Sequence, residues 1–201
     1  MIRILLADDQ HLVRGALAAL LALEDDFEVV ASVADGSEAV RAAVEQRPDI
    51  ALLDVEMPGM DGVAATREIT TQAPGVRVMI LTTFGRPGYL RRAMDAGARG
   101  FMVKDAPPDR LAAAVRQVHH GRTVVDPALA VASLSSGPNP LTDREADALR
   151  AAEDGGTVAD IARSLVLSEG TVRNYLSAAI GKTGARTRAE AARVARDNGW
   201  L

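Results

Sequence analysis

The sequence predicts an α/β fold, a five-stranded doubly wound parallel sheet, joined to a small all-α domain of four helices. Three observations carry this. The first 120 residues alternate short apolar runs with amphipathic segments, the pattern of repeated βα units around a parallel sheet. Runs such as IRILLA and VRVMILT show no clean polar alternation, as expected for strands covered on both faces. Residues 140–201 carry helical signals alone.

The strands fall at residues 2–7, 28–33, 50–54, 76–82 and 100–103. The intervening helices fall at 11–23, 36–46, 60–71, 87–97 and 107–120. Together they make one small domain, residues 1–120. Residues 121–139 change character: they hold Gly, Ser and Pro, and no charge follows Asp126. That is the composition of a linker. Beyond it, in residues 140–201, Thr142 and Glu145 form a capping box. It opens a helix with Ala146, Leu149 and Ala152 on one face, closed by Gly155 and Gly156. Thr157 caps a short second helix through Val158, Ile161, Ala162 and Leu165. Leu167 and Ser168 turn into a third, with Val172, Leu176 and Ile180 facing inward and Gly181 and Gly184 at its end. Thr187 and Glu190 open a last helix that runs to Asn198 and Gly199. Four helices with a short turn between the second and third describe a helix-turn-helix unit.

Of the 201 residues 48% are apolar and 25% charged, an ordinary globular balance, but only 3% are aromatic, so Ala, Leu, Val and Ile must build the core. The absence of Cys excludes disulfides, thiolate metal sites and cysteine catalysis. No apolar run reaches the roughly 18 residues that span a bilayer. The first six residues lead straight into Asp8 and Asp9, so the N-terminus reads as neither signal peptide nor anchor. The chain is expected to be cytoplasmic, without direct membrane insertion. Its net charge of −4 looks unfriendly to nucleic acid, but the charge is unevenly spread. Residues 141–170 carry 3 positive and 7 negative groups; residues 171–201 carry 6 positive and 2 negative. A local basic face is the electrostatic footprint that a phosphate backbone needs.

Ligands of doubly wound sheets bind beyond the carboxyl ends of the strands, at the switch in strand order. There the sequence places Asp8 and Asp9 after the first strand, Asp54 at the end of the third, Thr82 and Thr83 at the end of the fourth, and Lys104 at the end of the fifth. Singly, each has a plain reading: a helix cap for Asp8 or Asp9, a turn acid for Asp54, strand-forming threonines and a solvated Lys104. Those readings do not explain why all of them share one edge. Three carboxylates against one ammonium leave a deficit that a divalent cation would balance. An all-oxygen ligand set suits Mg²⁺, which also takes phosphate as a co-ligand. A carboxylate beside Mg²⁺ can attack a phosphoryl group to give an aspartyl phosphate.

The motifs DDQ (residues 8–10), LLDVEMPGMDG (52–62), LTT (81–83) and AGARGFMVKD (96–105), in this order, closely resemble the receiver domain of bacterial two-component response regulators, whose fold is flavodoxin-like. The resemblance implies that Asp54 is the phosphoacceptor. It implies that Asp9 and Asp54 ligate Mg²⁺ directly with the backbone carbonyl of Glu56, and that Asp8 acts through water. Thr82 would hydrogen-bond the phosphoryl oxygen and Lys104 would pair with it; Thr83 is only a neighbour. Phe101, nineteen residues after Thr82, stands where the family has its switch aromatic; otherwise it reads as core filler. Pro58 and Gly59 shape the turn after Asp54 and leave room for phosphate.

Residues 138–201, with DREAD, DIA and SEGTVRNYL in register, resemble the helix-turn-helix of NarL/FixJ (LuxR-type) transcription factors. One departure is KTG at 182–184, where the family has KLG, so Thr183 occupies an apolar packing position. In such units the third helix enters the major groove with its N-terminal half. Arg173, Asn174 and Ser177 would face the groove, where Arg can read guanine and Asn adenine. Thr171, Tyr175, Lys182 and Arg188 are candidate phosphate contacts, which position without specifying. Arg144, Arg163, Arg193 and Arg196 read as surface charges, and Trp200 as an anchor for the tail. The whole implies a DNA-binding transcriptional regulator, not an enzyme. A sensor histidine kinase would phosphorylate Asp54 with Mg²⁺, and the chain would then form a homodimer on double-stranded promoter DNA, pairing being a natural route to affinity. Leu12, Ala16 and Leu20 of the first helix and Leu111, Val115 and Val118 of the fifth read by default as core, with part of this apolar surface open to a dimer face. LTTFGRPGYLRRAMDAG and LSEGTVRNYLSAAI further resemble regulators of membrane-lipid desaturase genes. Two other readings compete. A haloacid-dehalogenase-like phosphohydrolase would use Glu56 as general acid, but the chain has no room for its cap. A phosphorylation-independent DNA-binding regulator would have a degenerate receiver, and the complete acidic set argues against that.

Overall fold

Strand order is what brings the acidic residues together. In the computed structural model, which describes residues 1–83, 87–135, 139–153 and 155–201, the apolar runs form β1 (Ile2–Ala7), β2 (Phe27–Val33), β3 (Ile50–Asp54), β4 (Arg77–Thr82) and β5 (Gly100–Val103). All pair in parallel, in the order β2-β1-β3-β4-β5-β6. The chain leaves β1 for one edge and returns past it to β3, so the switch lies between the ends of β1 and β3. Helices α1 (His11–Leu21), α2 (Gly36–Gln46), α3 (Gly62–Gln72), α4 (Pro87–Asp95) and α5 (Pro108–His119) alternate with the strands. Residues 84–86 of the LTTFGRPG segment and 136–138 of the expected linker lie outside the described residues.

The expected five strands are six. β6 (Val124–Val125) pairs with β5 through Gly100–Val124 and Phe101–Val125. Two valines between charged and turn-forming neighbours give no periodicity to read; the exposed edge of β5 recruits them. Helix α6 (Pro127–Ser135) follows within the stretch expected to be linker.

Side chains of each strand divide between two apolar layers. Leu5, Leu53, Ile80 and Phe101 pack with Ala39 of α2, Ile69 of α3 and Leu90 of α4. Leu6, Leu52, Leu81 and Met102 pack with Leu17 of α1 and Val115 of α5. Neither Asp8 nor Asp9 caps α1: its cap position is Gln10, which makes no side-chain cap bond. Asp35 and Asp61 do cap, accepting from the backbone N–H groups of Glu38 and Ala64 at 2.8 and 2.7 Å.

The chain divides into two compact units that meet in sequence between Ala130 and Val131. The second holds α7 (Asp143–Glu153), α8 (Val158–Leu165), α9 (Glu169–Thr183) and α10 (Arg188–Asp197). Each begins at a polar cap. The backbone N–H of Thr142 donates to Glu145 Oε2 at 2.7 Å. Thr157 and Asp160 satisfy each other's backbone. Ser168 and Thr187 accept from the N–H groups of Thr171 and Glu190 at 3.1 Å. Leu149, Ile161, Val172, Leu176 and Ala192 form the core, with Trp200 packed against it. On α9 Val172 and Ala179 are fully buried and Leu176 nearly so, whereas Ile180 is half-buried. Gly181 lies inside the helix, while Gly184 ends it at φ 66°. Thr183 satisfies its hydroxyl within its own helix, donating to the Ala179 carbonyl at 2.8 Å.

Val166, between α8 and α9, has φ 56° and is 89% exposed. A β-branched residue is strained in the left-handed region, and this one has little packing to lose. Val166→Asn is expected to stabilise the second unit by about 1 kcal/mol, because Asn tolerates that conformation. Denaturant unfolding would show a higher midpoint; a lower one would contradict the strain.

Candidate functional site

The ends of β1, β3, β4 and β5 converge on a buried charge cluster. Asp8 and Asp54 are 1% and 4% exposed. The Lys104 ammonium lies 2.7 Å from Asp8 Oδ2 and 2.8 Å from Asp54 Oδ2. The other oxygen of Asp54 accepts the Val55 backbone N–H at 2.8 Å, and that of Asp8 accepts from Gln10 at 2.9 Å. Thr82, buried at the end of β4, accepts the Lys104 backbone N–H on its carbonyl at 2.8 Å. Thr83 is exposed. Burial raises the Asp54 carboxyl above its ordinary pKa; Lys104 opposes this and the Asp8 charge adds to it. Burial pushes the Lys104 ammonium down, but Asp54 and Asp8 outweigh it and its pKa ends above the usual value.

Asp9 is exposed at the mouth of this cluster. One carboxylate oxygen from each of Asp8, Asp9 and Asp54 lies within 4.8 Å of the others. Three hard oxygen donors this close fit Mg²⁺ or a cation like it. Asp9 and Asp54 would hold it, with Asp8 behind them.

The loop between β3 and α3 is fixed from two sides. At Gly62 a Cβ would lie 1.9 Å from the Asp54 carbonyl oxygen, and at Gly36 one would lie 2.4 Å from that of Met60. Gly62 also donates its N–H to the Val55 carbonyl at 2.9 Å. From α4, the Tyr89 hydroxyl donates to Glu56 Oε1 at 3.1 Å, and Arg92 stands 3.6 Å from the capping Asp61. Glu56 is otherwise exposed. Phe101 is fully buried on β5, in the layer that also holds Tyr89 and Leu90.

On α9, Arg173, Asn174 and Ser177 are exposed on one side, while Val172 and Leu176 are buried on the other. Thr171 and Tyr175 are half-buried. Arg173 pairs with Glu169 of its own helix at 2.6 Å. The Thr171 hydroxyl shares a hydrogen bond with Ser168 at 2.8 Å. Arg188 donates to the Gly156 carbonyl at 2.8 Å, and Lys182 reaches Glu145 at 2.7 Å.

Comparison with known proteins decides the family. Residues 4–116 match the response regulator receiver domain, and residues 139–195 match the bacterial regulatory proteins of the luxR family. The chain belongs to the LuxR-type two-component response regulators. It is 42% identical over 201 residues to the transcriptional regulatory protein DesR of Bacillus subtilis, covering all of both chains. It is 41% identical over 203 residues to the response regulator RamR of Streptomyces coelicolor, covering 100% of this chain and 98% of RamR. Among solved structures it resembles the response regulator ChrA of a heme-sensing two-component system, with a TM-score of 0.60, 35% identity, and 100% and 98% of the two chains covered. The RcsB–DNA complex shares the fold, with a TM-score of 0.70 at 21% identity over 98% of each chain. The response regulator is thus a DNA-binding transcription factor and not an enzyme.

Sequence reasoning missed three parts of this regulator's site. Tyr89 and Arg92 sit one helical turn apart on α4, a spacing visible in the sequence, but their partners in the loop are not. Gly62 reads as an ordinary residue after a capping Asp. Gly62→Ala would force the loop off Asp54, and overpacking of this kind costs about 2 kcal/mol. Urea unfolding of the variant should show that loss; unchanged stability would contradict the close approach.

Proposed function

We propose that the regulator is switched by phosphorylation of Asp54 from a sensor histidine kinase and then binds promoter DNA as a homodimer. The observation that carries the reading is the buried Asp54 carboxylate set among Asp8, Asp9 and Lys104. Asp54 attacks the phosphorus of a kinase phosphohistidine: a P–O bond forms, the P–N bond breaks, and its electron pair stays on the imidazole nitrogen, which takes up a proton. Asp9, Asp54 and the Glu56 backbone carbonyl would hold Mg²⁺, with Asp8 acting through water, and the ion would supply charge that neutralises the phosphoryl oxygens. Lys104 then exchanges its Asp54 contact for a phosphoryl oxygen, and the Thr82 hydroxyl donates to another. Thr82 and the aromatic Phe101 on the neighbouring strand carry the change to the receiver surface.

The dimer face in this reading lies on α1. Leu12 is 84% exposed, and Ala16 and Leu20 are exposed as well. Leu111, Val115 and Val118 of α5 are buried and serve the core. Residues 1–120 act as the switch, 121–139 as the connector and 140–201 as the reader, all in the cytoplasm. Arg173, Asn174 and Ser177 read bases, while Thr171, Tyr175 and Arg188 meet phosphates. The likeness to DesR makes promoters of membrane-lipid desaturase genes the first DNA to test.

Asp54→Asn removes the nucleophile. Incubated with labelled acetyl phosphate and Mg²⁺, the wild-type chain is expected to take up label and the variant none; full labelling of the variant would sink the reading.

A further inference from the structure

Glu145 is a buried carboxylate, 6% exposed, in the first turn of α7. Its Oε2 takes two donors, the Thr142 backbone N–H and the Lys182 ammonium, each at 2.7 Å. Lys182 belongs to the last turn of α9. One oxygen atom therefore ties the start of α7 to the end of the helix that carries Arg173, Asn174 and Ser177. Burial pushes the Glu145 carboxyl up, but Lys182 and Thr142 outweigh it and hold its pKa below the ordinary value.

A phosphate drawing Lys182 outward would weaken the bond of its ammonium to that buried carboxylate. An unpaired buried charge is strongly unfavourable, whereas an exposed pair can be exchanged at small cost. Arg173 is of the second kind: its pair with Glu169 is exposed on both sides. The Lys182 pair differs from it on one side: its ammonium is exposed, but its carboxylate partner is buried. A helix that reads base edges must be held to within a fraction of an ångström, and side chains on a rigid element move together when its end shifts.

We propose that Lys182 is a positioning residue: anchored on buried Glu145, it fixes the recognition helix and does not neutralise a DNA phosphate. This rests on the reading of α9 as the helix that meets DNA.

The test compares full-length wild type, Lys182→Gln and the double variant Glu145→Gln/Lys182→Gln. The probe is a duplex enriched from random-sequence DNA by the wild-type chain. Affinity is measured across salt concentrations, well below each variant's unfolding temperature. Lys182→Gln is expected to weaken binding roughly tenfold with an unchanged salt slope. The double variant, whose two amides can bond without charge, should recover most of the loss. A phosphate contact would instead lower the slope by about 0.9 in both variants, with no recovery, and overturn the proposal. A lowered melting temperature with unchanged affinity would overturn it too, leaving Lys182 a stabilising residue only. Arg173→Ala is the control for the underlying reading: if it leaves affinity intact, α9 is not the DNA helix.

Discussion

The Lys104 ammonium, held between Asp8 and Asp54, is the interaction on which the first unit's site depends. Burial works against charge on Asp54 and the Asp8 carboxylate beside it adds to that; the Lys104 ammonium, in contact with both, opposes it. The arrangement needs β1 beside β3, so that Asp8 and Asp54 leave the sheet together, and it needs β5 two strands away with a side chain long enough to return. The backbone bond from Lys104 to Thr82 sets the height from which that side chain reaches back. Strand order, strand length and charge thus meet in one contact, for which a phosphoryl group would compete in the proposed switch.

Around that contact the structure is stiff where it holds Asp54 and exchangeable further out. Gly62 brings the α3 backbone against the Asp54 carbonyl too closely for any side chain, so the loop has little freedom there. α4 touches the same loop through polar groups, Tyr89 on Glu56 and Arg92 on Asp61, the second of them exposed and long at 3.6 Å. Such contacts are weak and can be remade. Phe101 lies beneath α4 in the same apolar layer. A change of charge at Asp54 would therefore act on a loop packed against backbone on one side and joined by polar contacts on the other to α4, which is itself packed in the core through Leu90 and Ala93.

Much of this was legible in the sequence, for local reasons. Apolar runs and their alternation with amphipathic segments place β1, β3 and β5 to the residue, and capping pairs such as Thr157 with Asp160 mark helix starts because both partners lie within one turn. What escaped depends on distance. β6 is two residues long and exists because β5 offers an edge. Glu145 and Lys182 are 37 positions apart, so each reads alone as something else, a capping residue and a candidate phosphate contact. Leu12 and Leu111 share helical apolar spacing, and only the packing of α1 and α5 shows that the first is exposed and the second buried. The acidic set was readable because the fold class itself dictates where strand ends converge; the contacts of Glu56 and Asp61 were not, because loops obey no such rule.

In the proposed switch, charge added at Asp54 is converted into paired, DNA-competent chains. The direct measurement is the molecular mass and promoter affinity of the full chain with Mg²⁺, before and after beryllofluoride is added as a phosphoryl mimic. The account predicts a monomer that becomes a dimer with tighter DNA binding. Equal mass and equal affinity in both states would contradict it and leave a reader that works without its switch.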